Sequence, residues 1–92
     1  MNMAPRITIR YFARIREKLG LGEEVVELRP DMQTLHSLRA DLALRGELWA
    51  ELIGPNASTL MVALNQNLLN ISTDVELSDH DEVAFFPPVT GG

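Results

Sequence analysis

Arg6-Ile7-Thr8-Ile9-Arg10-Tyr11-Phe12 sets apolar Ile7, Ile9 and Tyr11 in alternation with polar Arg6, Thr8 and Arg10. A period of two sends successive side chains to opposite faces of an extended chain, so the segment predicts a half-buried strand. Near the other end, Glu82-Val83-Ala84-Phe85-Phe86 reads as a last strand and runs into Pro87-Pro88, which cannot donate to a ladder. If Ile7, Ile9, Tyr11, Val83 and Phe85 face a helix, Phe12 and Phe86 are out of phase with them and lie on the opposite face or its rim. There they either form an apolar patch with Leu68 for a partner, or are buried inside the monomer by bends and loops.

The elements between these strands complete a fold. Ala13 to Leu19 reads as a short, basic, partly helical connection closed by Gly20 and Gly22; Glu23 to Leu28 reads as a second strand, antiparallel to the first and stopped by Pro30. Thr34 is placed to cap a helix through about Arg45, with Leu35, Leu38 and Leu42 on one face and Gly46 to end it. Trp49, Leu52 and Ile53 read as core under an irregular segment that turns at Gly54-Pro55-Asn56. Leu60 to Leu64 is apolar on both faces and suits a central strand; Leu68 to Ile71 suits a short edge strand, and Ser78 to Asp81 a turn. This order predicts an α+β domain of the β-grasp, ubiquitin-like kind: a mixed sheet with one main helix on one face, spanning residues 1–86, and a flexible, extended tail over 87–92.

Composition limits the chemistry. A chain of 92 residues, 46% hydrophobic and without cysteine, is the size of one domain and has no thiol nucleophile, persulfide or Cys-ligated metal. With 8 Lys and Arg against 13 Asp and Glu, the net charge of -5 disfavours nucleic acid as a ligand. Arg6, Arg10, Arg14, Arg16 and Lys18 nevertheless gather near the start, either as a solvated patch or as a dock for an acidic protein. His36 and His80 are far apart in sequence, and Asp79, Asp81 and Glu82 lack calcium-loop spacing, so no metal site is expected. No stretch approaches membrane-spanning length, and the expected location is cytoplasmic.

The tail carries the chemical interest. From Val83 onward there is no charged side chain, and the chain reads Pro87-Pro88-Val89-Thr90-Gly91-Gly92 at its end. Two prolines favour an extended start, and six residues project roughly 20 Å at near-extended rise. Gly91 and Gly92 lack Cβ atoms, so they fit a narrow channel and leave the terminal carboxyl carbon open from either side. A carboxylate is a poor electrophile; it needs conversion to an acyl-adenylate before sulfur or amine attack, and no phosphate-cradling glycine loop here supplies that step. The alternative is a frayed terminus without a role.

Ile7 to Glu17, Val62-Ala63-Leu64-Asn65-Gln66 and Asp81 to Gly92, above all Ala84-Phe85-Phe86-Pro87-Pro88-Val89-Thr90-Gly91-Gly92, resemble the MoaD family, the small subunits of molybdopterin synthase. The resemblance implies a β-grasp sulfur carrier whose Gly92 is adenylated by a MoeB-like enzyme using ATP and becomes a thiocarboxylate, with no cofactor held stably by the carrier. It implies a tail, Pro87, Pro88, Val89, Thr90 and Gly91, that enters a MoaE-like large subunit, where the catalytic residues lie, within a heterotetramer. It also implies partner docking at Phe12, Leu68 and Phe86, with Arg14 beside them. The family's glycine in the turn before the last strand is His80 here, a tolerable replacement if φ is positive. A ubiquitin-like modifier, or a carrier for thiamine, tRNA thiolation or cysteine synthesis, shares the Gly-Gly ending.

Overall fold

The computed structural model describes residues 4–57 and 59–88. Strand β1 (Arg6–Tyr11) places Ile7, Ile9 and Tyr11 at 1% exposure or less, as their alternation predicts. Its antiparallel neighbour β2 (Glu23–Glu27) pairs Arg6 with Glu27 and Arg10 with Glu23. The short helix α1 (Ala13–Leu19) links them and ends at Gly20, whose φ of 68° is a left-handed cap that glycine adopts without steric cost. Further along, β3 (Met61–Leu64), β4 (Asn67–Leu69) and β5 (Glu82–Phe86) complete the order β2-β1-β5-β3-β4. The β1 and β5 strands run parallel at the centre, and the other pairs are antiparallel.

Turn chemistry sets the registers. Asn65 and Gln66 both have positive φ, 50° and 69°, as a two-residue hairpin between β3 and β4 requires. His80 has φ 72°, so histidine does occupy a left-handed position, and its N–H donates to the Arg6 carbonyl at 2.8 Å. Asp79 and Asp81 accept backbone N–H bonds from Arg6 and Ser78 at 2.7 and 2.8 Å, which gives these turn acids a structural task.

Helix α2 (Leu35–Ala43) starts where Thr34 predicts: Thr34 Oγ1 accepts from the Ser37 N–H, and Ser37 Oγ accepts from the Thr34 N–H. Leu35, Leu38 and Leu42 are fully buried against the sheet. Two readings of the sequence need correction. The helix stops at Ala43 rather than Arg45, and Gly46 instead starts a second helix, α3 (Glu47–Ile53), over the segment read as irregular. Trp49, Leu52 and Ile53 do follow helical spacing, but over only two turns and without a side-chain cap at Gly46, so the sequence signal is short.

Packing between α2 and α3 rests on a residue that the apolar periodicity hides. Arg39, 2% exposed, donates from Nε to the Ile53 carbonyl at 2.8 Å and from Nη2 to the Gly54 carbonyl at 2.6 Å. A cation is suited to the electronegative end of a helix. Burial lowers the Arg39 pKa, and no described carboxylate lies within ion-pair distance of it.

Candidate functional site

The strands that bury Ile9 and Phe85 on one face build a different surface on the other. Met61 pairs with Phe86, and Phe12, just beyond β1, donates its N–H to the Phe85 carbonyl at 3.1 Å. The parallel register therefore sets Phe12 beside Phe86, and cross-strand neighbours share a face. Two residues along the strands, on the same face, Arg10 pairs with Ala84, Ala84 with Ala63 and Ala63 with Leu68. Two alanines thus form a low floor between Leu68 and Arg10, next to the row Phe12, Phe86 and Met61. Phe12 and Leu68 are 42% and 62% exposed, and Phe86 is half-buried. Neither ring is fully buried inside the monomer.

Charge frames this apolar surface. Arg10 Nε lies 3.3 Å from Glu23 and 3.2 Å from Glu82, and Arg6 pairs with Glu27 at 3.3 Å. These exposed pairs contribute little stability and leave the alanine floor as the uncharged centre. Sequence reasoning finds Phe12, Leu68 and Phe86 but misses Met61, Ala63 and Ala84, whose contribution depends on register.

The chain leaves this surface through Pro87 and Pro88 directly after Phe86. The two prolines border a groove of about 580 Å³, also lined by Arg14, Lys18, Glu51, Leu52 and Leu60. Arg14 therefore sits on α1 in this groove rather than within the apolar rows, though close in sequence to Phe12. Val89, Thr90, Gly91 and Gly92 lie outside the described residues.

A polar cluster braces the opposite, helix-covered face. Tyr11 Oη donates to Glu24 at 2.7 Å, and Arg45 donates to both Glu24 oxygens at 2.7 and 2.9 Å. The Arg45 guanidinium lies 4.6 Å from the Trp49 ring centre, and Trp49 meets Tyr11 edge to face at 5.6 Å. Burial opposes ionisation of Glu24, but the hydrogen bonds from Arg45 and Tyr11 prevail and hold its carboxyl below the ordinary value. Burial, and then the bond to Glu24, pushes the Tyr11 phenol well above its usual range, so it remains a donor. This constellation joins β1, β2, the link between α2 and α3, and α3, and is structural.

His36 and His80 stay apart, each beside an acid: Asp74 at 3.8 Å and Asp79 at 3.2 Å. Asp74 also accepts the His36 N–H at 2.9 Å in the first turn of α2. Among the described residues no cluster of three His, Asp or Glu side chains is arranged to hold a metal ion, and no helix is long and apolar enough to cross a membrane.

A single helix-backed sheet of order β2-β1-β5-β3-β4 with parallel central strands defines a ubiquitin-like domain. The chain belongs to the ThiS family, whose model matches residues 9–92. It is 41% identical over 86 residues to the molybdopterin synthase sulfur carrier subunit of Escherichia coli (strain K12), covering 94% of this chain and 99% of that protein. The subunit of that name from Haemophilus influenzae is 37% identical, with the same shares covered. Among solved structures, the complex of subunits 1 and 2 of molybdopterin-converting factor from Helicobacter pylori 26695 contains a similar chain, with a TM-score of 0.62 and 28% identity over 95% of this chain and 99% of that one.

Proposed function

We propose that this protein is the sulfur-carrier small subunit of a molybdopterin synthase. The observation that carries the reading is the placement of the apolar row Phe12, Phe86 and Met61 at the exit of Pro87-Pro88, so that a partner docked on the row receives the tail. The Gly92 carboxylate is adenylated by a separate MoeB-like enzyme that consumes ATP, since the chain has no phosphate-binding loop. A sulfur nucleophile then displaces AMP and leaves a thiocarboxylate. The tail enters a MoaE-like large subunit, where two such transfers to cyclic pyranopterin monophosphate complete the dithiolene. Burial of the half-exposed phenylalanines holds the carrier there, and Arg14 meets an acidic group at the rim. The working assembly is a cytoplasmic heterotetramer of two carriers and two large subunits, and the carrier alone is not catalytic.

Support comes from the close relatives that bear this name and from the two-subunit complex to which the chain is similar. The test is intact-mass measurement after incubation with the adenylating enzyme, ATP and a sulfur donor, followed by transfer to the large subunit and pterin precursor. A mass gain equal to the difference between sulfur and oxygen, then molybdopterin, is expected; deletion of Gly92 should abolish both while the fold persists. Recovery of only the free acid from active partners would refute the carrier reading, and a thiocarboxylate that yields no molybdopterin would assign the carrier to another pathway.

A further inference from the structure

Of the chain's 8 Lys and Arg residues, Arg6, Arg10, Arg29 and Arg45 pair with carboxylates, and Arg39 holds backbone carbonyls. The rest, Arg14, Arg16 and Lys18, stand together on α1, all exposed, and no described carboxylate lies within ion-pair distance of them. Acids are not scarce in a chain with 13 Asp and Glu. Arg16 packs beside Gly22, whereas Arg14 and Lys18 border the groove of about 580 Å³ that α1 shares with α3. Clefts that hold ligands measure about 300–1,000 Å³.

The walls of this groove differ. Helix α1 supplies Arg14 and Lys18, which a rise of four residues sets about 6 Å apart along the axis. Helix α3 supplies Leu52 and Glu51, while Leu60, Pro87 and Pro88 add apolar surface. An extended segment sends alternate side chains to opposite sides and advances about 6.6 Å per two residues, close to the spacing of the two cations. Acids at its first and third positions meet Arg14 and Lys18, and the apolar residue between them turns to Leu52. Glu51 repels an acid from that second wall, which fixes the order. The groove is also continuous with the docking row, because Ala13 and Pro87, which line it, directly follow Phe12 and Phe86.

We propose that the groove between α1 and α3 is a second docking site, which takes an extended acid-apolar-acid segment of the protein seated on Phe12 and Phe86. The site rests on the reading above that this row receives a partner, but it requires no chemistry at Gly92. It adds selection to adhesion: the apolar row accepts any complementary apolar surface, whereas the groove admits only a partner with two carboxylates at alternate positions.

The experiment titrates the isotope-labelled full chain with the peptide Ac-Gly-Glu-Leu-Glu-Gly-NH2 and follows backbone amide shifts. Saturable shifts confined to Arg14, Lys18, Leu52 and Thr59 are expected, weakening between about 50 and about 500 mM salt. Arg14→Gln and Lys18→Gln should each lower affinity about threefold or more, and their double variant should bind the uncharged Gln-Leu-Gln peptide no worse than the wild type does. Replacing the peptide's leucine by serine should weaken binding with every charge kept. The pair Arg14→Glu and Lys18→Glu should transfer preference to a Lys-Leu-Lys peptide, a rescue that a merely solvated patch would not show. Absence of saturable shifts overturns the groove alone, since the docking row is judged separately by the effect of Phe86→Asp on the large-subunit complex. Equal binding of the leucine and serine peptides overturns it too, leaving only diffuse charge attraction. Shifts at the same residues that grow with protein concentration without peptide assign the groove to a second copy, and contacts from the chain's own tail that the peptide does not displace assign it to the tail; either overturns the proposal.

Discussion

The two faces of the sheet are made by the same strands and differ in what covers them. On the helix side, Ile9, Val83 and Phe85 are at 0% exposure beneath α2 and α3. On the other side, Phe12, Ala84, Phe86 and Leu68 have no element of the chain over them among the described residues. Phe85 and Phe86 are neighbours, yet the first serves folding and the second is left for association. Identical side chains acquire different roles through strand phase alone, because a one-residue step reverses the face.

The largest effect that probes this contrast is expected on the covered face. Phe85→Ala should cost about 3–5 kcal/mol, read from denaturant midpoints, because it opens a cavity beneath the helices. A cost under 1 kcal/mol would mean that the covered face is not the monomer's core. Next, Phe86→Asp should change monomer stability by no more than about 1 kcal/mol while weakening the large-subunit complex by about 2 kcal/mol or more, measured by calorimetry. Unfolding of the monomer by this substitution would erase the distinction between the faces.

The smallest expected effect compares charges on the two sides of β2. Glu24→Gln on the helix side should cost about 1–2 kcal/mol at neutral pH, whereas Glu23→Gln in the exposed pair with Arg10 should cost at most about 0.5 kcal/mol. Because the folded pKa of Glu24 is depressed, its contribution is fully present above the unfolded carboxylate value of about 4.3 and is lost as pH falls through the folded value. The stability gap between wild type and Glu24→Gln should therefore be flat from neutral pH down to about 5 and close in acid. A gap that persists in acid would show that packing, not charge, makes Glu24 matter.

Much of the fold is legible because its signals are local. Period two in Arg6–Tyr11, the Thr34 cap and the turn residues Asn65-Gln66 each act within a few residues. Helix α3 is less legible because its two turns begin at a glycine without a capping side chain and gain their stability from α2 and the buried Arg39. The apolar triad of Phe12, Leu68 and Phe86 follows from strand phase and family resemblance. The alanine floor does not, since Ala63 and Ala84 acquire meaning only when β3 and β5 pair.

By itself, the sequence determined the alternation that gives β1 one apolar face, the lack of a thiol, and an end rich in proline and glycine without charge. These are properties of residue type and spacing, which a linear chain states directly. Only the tertiary structure decided that β1 and β5 lie side by side and parallel, so that Phe12 meets Phe86 across 74 positions of sequence. It also decided that Arg14 and Lys18 of α1 line one groove with Pro87 and Pro88. Such juxtapositions depend on hydrogen-bond register and on what the helices leave uncovered, which no local preference encodes.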